Sequence, residues 1–165
     1  MLSKPKLEQR PMQPYAAIRA AVPIPFGKYL PTLWDEVLRW LKNQGVTSSG
    51  PAIIRYLTTD MSKKLDIDVG FTVDRAIPGD DRIIVDTLPA GRYAVLLYTG
   101  SYKGKGLFKA TGALLEWGKE NNLAWNVSQK DGVEWWHGRT EFYLTDPNFE
   151  PDPKKYQTER AFLVK

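Results

Sequence analysis

Apolar and polar positions change their spacing several times along the chain, and each change marks an element. Leu7 to Arg10 is a short extended stretch that leads through Pro11 into a strand from Tyr15 to Val22. Pro23-Ile24-Pro25-Phe26-Gly27 breaks that strand, because proline cannot donate to a ladder. Leu30, Leu33, Trp34, Val37, Leu38 and Leu41 then fall on one helical face, and Asn43-Gln44-Gly45 supplies a stop. Strands follow near Ile53 to Thr58 and Ile67 to Val73. Residues 75–81 form a linker with Pro78-Gly79-Asp80-Asp81 as its turn. The series of elements then restarts. Arg82 to Leu88 is extended, Pro89-Ala90-Gly91 turns, and Tyr93 to Tyr98 is extended again. A helix from Leu107 to Asn122 carries a weaker stripe of Leu107, Thr111, Leu114, Leu115 and Gly118. Strands near Arg139 to Thr145 and Gln157 to Val164 close the chain, separated by a proline-rich loop at 146–153.

The two halves share residues as well as a plan. Arg55-Tyr56-Leu57-Thr58 matches Phe142-Tyr143-Leu144-Thr145, and Lys63-Lys64 with Phe71 and Val73 matches Lys154-Lys155 with Phe162 and Val164. Trp40 matches Trp117, and Pro11 and Tyr15 match Pro89 and Tyr93. Four landmarks in one order point to a duplicated ββαββ unit, spanning about 3–74 and 82–165 of a single domain. Isolated strands cannot bury themselves. The expected fold is α+β: one antiparallel sheet of about eight strands, two helices on one face, and a central cleft where the units meet.

Composition narrows the chemistry. Of 165 residues, 12% are aromatic, with six Trp and eight Tyr, more rings than a small core needs, so some are expected to line a pocket. There is no Cys and one His, His137, so neither a zinc site nor a disulfide framework is expected, and no cofactor. The net charge of +4 is spread among acidic residues without a basic run, which argues against direct DNA binding. No apolar run approaches a membrane span and no leader pattern opens the chain, so a cytoplasmic protein is expected. Gly100-Ser101-Tyr102-Lys103-Gly104-Lys105-Gly106 lacks phosphate-loop spacing and reads as a strand-to-helix connection.

Leu88-Pro89-Ala90-Gly91-Arg92-Tyr93-Ala94-Val95, then Gly100-Ser101-Tyr102, then Leu115-Glu116-Trp117 resembles the GyrI-like small-molecule-binding domain. The closing segments Glu141 to Pro147 and Thr158 to Val164 are similar to that family's last strands. The resemblance covers nearly the whole chain. It implies duplicated units around a ligand cleft and binding of bulky, aromatic or cationic compounds, as a bacterial drug sink or multidrug sensor. It also implies two alternatives: hydrolysis of electrophilic xenobiotics such as cyclopropane-bearing antibiotics, or a protein partner such as DNA gyrase or a regulator. No DNA-reading segment is evident in the sequence, so a stand-alone member of the family is expected.

Glu141 is the leading site residue. The resemblance implies a buried carboxylate six residues before the Asp-Pro turn, where Glu141 stands before Pro147. On a strand, Glu141 and Tyr143 point the same way. The carboxylate then either stands among rings, to attract a lipophilic cation or to activate water in an enzyme, or pairs with Arg139 at the surface. Its counterpart in the first unit is Ile54. Glu159 matches Asp68, and the two either flank the cleft or are solvated. Tyr56 and Tyr143 are matched and would approach each other if the units face. Trp125 and Trp136 have no first-unit counterparts and are expected to wall the cleft. Trp34, whose counterpart is Thr111, and Phe26, Phe71 and Tyr98 complete the candidate lining.

Overall fold

The computed structural model describes residues 1–46, 50–59 and 64–165; Lys63, one of the repeat landmarks, lies outside the described residues. The strands are β1 (Lys6–Arg10), β2 (Gln13–Val22), β3 (Ala52–Tyr56), β4 (Leu65–Thr72), β5 (Ile84–Leu88), β6 (Gly91–Thr99), β7 (Val127–Lys130), β8 (Val133–Trp136), β9 (Arg139–Tyr143) and β10 (Gln157–Leu163). Helix α1 spans Leu30–Asn43 and α2 spans Gly106–Glu120. Pro31 opens α1, where its missing N–H is no loss. Gly45, at φ +74°, ends it in the left-handed conformation that glycine adopts without strain.

The architecture is α+β, with eight strands in one antiparallel sheet of order β1-β6-β10-β9-β3-β4-β2-β5. This order is symmetric about the β9–β3 pair. β2, α1, β3 and β4 of the first half correspond to β6, α2, β9 and β10 of the second. β1 pairs with β6, and β5 pairs with β2, so each half places its first strand on the other half's outer edge. The halves are interlocked. At the centre, Ile54 lies directly opposite Glu141, its own counterpart in the repeat.

Both helices lie on one face. Val37 and Leu41 of α1 pack on Ala16 and Ile18, while Ala110 and Leu114 of α2 pack on Ala94, Leu96 and Phe162. All nine residues except Phe162, Ile18 and Leu96 are wholly buried, and those three are 1% exposed. Since α1 sits over β2 and β4 and α2 over β6 and β10, the strip between the helices is β9–β3. The sheet's other face buries Tyr15, Ala17 and Ile53 on one side and Tyr93, Val95 and Ala161 on the other, with Phe142 packed against both groups.

The β7–β8 hairpin is an element that the spacing of apolar residues did not predict. Asp131 and Gly132 form its two-residue turn with φ of 53° and 74°, the conformation that an Asp-Gly pair favours. Among the described residues no helix is long and apolar enough to cross a membrane.

Candidate functional site

Glu141 sits in the strip between the helices, only 7% exposed. Strand alternation turns Glu141 and Tyr143 toward the helices, and the β3–β9 register brings Tyr56 to the same place. Tyr56 donates its hydroxyl to Glu141 Oε1 at 2.8 Å, and Tyr143 donates to Oε2 at 2.5 Å. Both tyrosines are held well above the usual tyrosine range, first by burial and then by the Glu141 charge. Rings close over them. Trp34 of α1 meets Tyr143 edge-on at 5.1 Å, and Tyr102, from the connection before α2, meets it at 5.5 Å. Trp34 is pinned through its indole N–H to the carbonyl of Ile53, and Phe26 meets Tyr56 edge-on at 6.2 Å.

A second charge faces Glu141 from β10. Arg160 is 1% exposed, and its Nη2 lies 3.4 Å from Glu141 Oε1. Its Nε donates to Thr111 Oγ1 at 2.8 Å and its Nη2 to the carbonyl of Leu107 at 3.0 Å, so α2 anchors the guanidinium. The corresponding pair in the first half is Ile54 opposite Val69. One half therefore carries an apolar cross-strand pair where the other carries Glu141 opposite Arg160. The helix residues differ in step: Trp34 fills the space in the first half, and the smaller Thr111 leaves room for Arg160 in the second. On the helix-bearing face, the cross-strand ion pair stands at this position in the second half, where the first half has Ile54 and Val69. Among the described residues no group of three or more metal-ligating side chains comes together.

The pattern of the GyrI-like small molecule binding domain matches residues 3–162. The chain belongs to that family. No curated protein sequence matches it significantly. Among solved structures it is similar to the C-terminal domain of EcmrR, at 18% identity and a TM-score of 0.79, covering 98% of this chain and 97% of that one. Of the longer EcmrR chain solved in complex with DNA, it spans 57%. It is also similar to SAV2435 bound to tetraphenylphosphonium, at 15% identity and a TM-score of 0.60, covering 99% of this chain and 94% of that one. A hydrolase from Listeria innocua has the same fold at 11% identity and a TM-score of 0.60, with 98% and 92% covered.

On this GyrI-like fold the other candidate residues divide into separate groups. Trp125 and Trp136 pack with Phe162 beneath α2, with ring centres 5.6–6.1 Å apart. A Cβ on Gly118 would come within 2.2 Å of the Trp125 ring, so helix and ring are fitted closely. Trp136 touches the Glu141 cluster only through Arg139, whose guanidinium stacks 4.6 Å from the Trp136 ring. Tyr98 lies in the same packing group and donates to the carbonyl of Ser101. Phe71 packs with the α1 core group of Ala16, Val37 and Leu41. Glu159 is on the opposite face of the sheet from Glu141, paired with Arg10 at 2.7 Å. Its counterpart Asp68 is wholly buried on that face, bonded by Tyr15 and Arg19. Strand parity decides this: Glu159 is paired across the strands with Phe142, and Arg160 with Glu141.

Two hollows lie away from Glu141. One, of about 450 Å3, runs beside α1 along Ala20, Val22, Tyr29, Thr32 and Leu33, with Lys28 and Arg82 at its rim. The other, of about 220 Å3, is on the opposite face beneath Arg10, Leu88, Tyr93 and Phe142. Above Glu141 the space between the helices holds the rings of Trp34, Tyr143 and Tyr102. Arg160 and Tyr102 were not singled out as site residues from the sequence, and Arg139 was named there only as a surface partner for Glu141. The signal for Arg160 was present, because a charged residue stands where the repeat places Val69.

Proposed function

We propose that this protein captures bulky, ring-bearing, cationic small molecules in the strip between its helices, with Glu141 selecting positive charge. The observation that carries this reading is a carboxylate 7% exposed and roofed by aromatic side chains from α1, β3, β9 and the connection before α2. Ring contact and apolar burial supply most of the affinity, at about 25 cal/mol per Å2 removed from water. The carboxylate adds attraction for a cation in a poorly hydrated setting, and ring faces add to it.

Entry follows from what holds each ring. Trp34 is fixed by its bond to Ile53 and by the body of α1. Tyr102 stands on a connection that includes Gly104 at φ +86°, donates a 3.3 Å bond to the carbonyl of Thr145 and rests on the ring of Tyr156, 4.9 Å away, so it is held by the loop side and not by a helix. Tyr102 is therefore the ring that gives way, swinging off Tyr143 so that a ligand ring takes its place. Such a protein acts as a drug sink or as the sensing part of a regulatory system. The same site suits recognition better than water activation, since each Glu141 oxygen already accepts a tyrosyl proton.

SAV2435, of like fold, is bound to tetraphenylphosphonium, which makes that cation the probe. Titration followed by tryptophan fluorescence is expected to show binding to the wild type. Glu141→Gln, which keeps the shape and one accepting oxygen for a tyrosyl hydroxyl while its NH2 meets the other tyrosyl oxygen as a donor, is expected to bind about tenfold more weakly. Equal affinity of the two proteins would remove Glu141 from the site.

A further inference from the structure

Glu141 is one carboxylate among two guanidinium groups. Arg160 touches it directly, and Arg139 is on the next rung of β9, facing the same way. The guanidinium of Arg139 is stacked 4.6 Å from the rings of both Trp136 and Phe162, and 5.7 Å from Tyr56. Its ordinary basicity is lowered, chiefly by burial. The Arg160 charge adds to the lowering; the Glu141 charge and, less, that of Glu134 on β8 oppose it. The cluster thus holds more positive than negative charge in a place that water reaches poorly.

The hydrogen bonds are also incomplete. Arg160 spends Nε on Thr111 and Nη2 on Leu107 and Glu141, and its Nη1 is buried with no partner. Arg139 has its Nε buried with no partner. A buried donor without an acceptor is destabilising, more so when the group is charged. Arg55 Nε, on the sheet's other face, is buried without a partner as well, but the two donors of Arg139 and Arg160 stand on neighbouring cations beside the Glu141 ring cluster. They are well placed as contacts for something that enters with the ligand.

We infer that the ligand class of this site is amphipathic and zwitterionic: a ring system with a cationic centre for Glu141 and an anionic acceptor, such as a carboxylate or sulfonate, for Arg160 Nη1 and Arg139 Nε. The inference rests on the small-molecule reading given above. It extends that reading by giving the two arginines a role that a simple lipophilic cation leaves empty. The acceptor completes both guanidinium groups and balances the cluster's charge, while the rings lie toward Trp34 and Tyr102.

The test compares two probes with identical rings and cationic centre on the full chain by calorimetry at pH 7.5. One is butyltriphenylphosphonium, and the other is 4-carboxybutyltriphenylphosphonium. The carboxylate probe is expected to bind about tenfold more tightly, the scale of one charge-assisted hydrogen bond. Arg139→Met, which keeps an apolar stem among the rings, is expected to remove most of the difference between the probes. Equal binding of the two, or weaker binding of the carboxylate, overturns the inference and leaves the small-molecule reading standing. Binding of neither overturns both.

Discussion

Glu141→Ile is expected to lower the unfolding free energy by about 3–5 kcal/mol, the usual result of removing one partner from a buried ion pair. The reason lies in what remains. Arg160, 1% exposed, keeps its charge and loses its one carboxylate partner among the described residues, while the hydroxyls of Tyr56 and Tyr143 lose their acceptor. The second half of the repeat then has a mismatched pair, apolar opposite cationic. Adding Arg160→Val writes the first half's own solution, Ile54 opposite Val69, into the second half. The double variant is expected to recover part of the lost stability, because no buried charge is left unpaired, while the space beside Thr111 and the two tyrosyl hydroxyls without their acceptor still cost. Denaturant unfolding of the four proteins gives the coupling directly. If the two losses simply add, the pairing account of Glu141 and Arg160 is wrong.

The second large effect is alkaline. Tyr15, Tyr56 and Tyr143 all have folded-state pKa values raised above the unfolded value of 10.0, chiefly by burial. Asp68 adds to the shift at Tyr15, and Glu141 at the other two. Above pH 10 the unfolded chain releases these protons and the folded chain keeps them, so the unfolded state binds fewer protons. Stability is therefore fully present below pH 10 and is lost as pH rises toward the folded values. Each tyrosine contributes a slope of about 1.4 kcal/mol per pH unit, so the three together give about 4. Denaturation at pH 9, 10 and 11 is expected to show a steep fall. Tyr143→Phe is expected to make it shallower by one tyrosine's share. An unchanged slope in that variant would mean that the Tyr143 hydroxyl does not stay protonated against Glu141.

The parts of the fold that were legible are those set by local spacing. The six apolar positions from Leu30 to Leu41 specify α1 because a helix brings them to one face. Matching Tyr56 to Tyr143 placed them in a common setting, and in the structure both donate to Glu141. The exchange of β1 and β5 between the halves was not legible, because edge pairing depends on distant strands and leaves no local mark. Arg160 was passed over because a charged residue on a strand ordinarily faces water. Only its place between Thr158 and Phe162, opposite Glu141, makes it internal. The β7–β8 hairpin was missed because each strand has four residues, too few for alternation to register, although Asp131-Gly132 carried the turn signal. Trp125 and Trp136 show the limit of counting rings: excess aromatics in the sequence become packing beneath α2 as readily as a wall for a ligand.

The measurement closest to the centre of this account is a crystal structure of the protein soaked with tetraphenylphosphonium. The account predicts the cation between Trp34 and the displaced ring of Tyr102, with Glu141 beneath it and the Tyr56 and Tyr143 hydroxyls still turned to the carboxylate. A cation found instead in the hollow beside α1 or under Phe142 on the opposite face, with Trp34 and Tyr102 still closed on Tyr143, would contradict it.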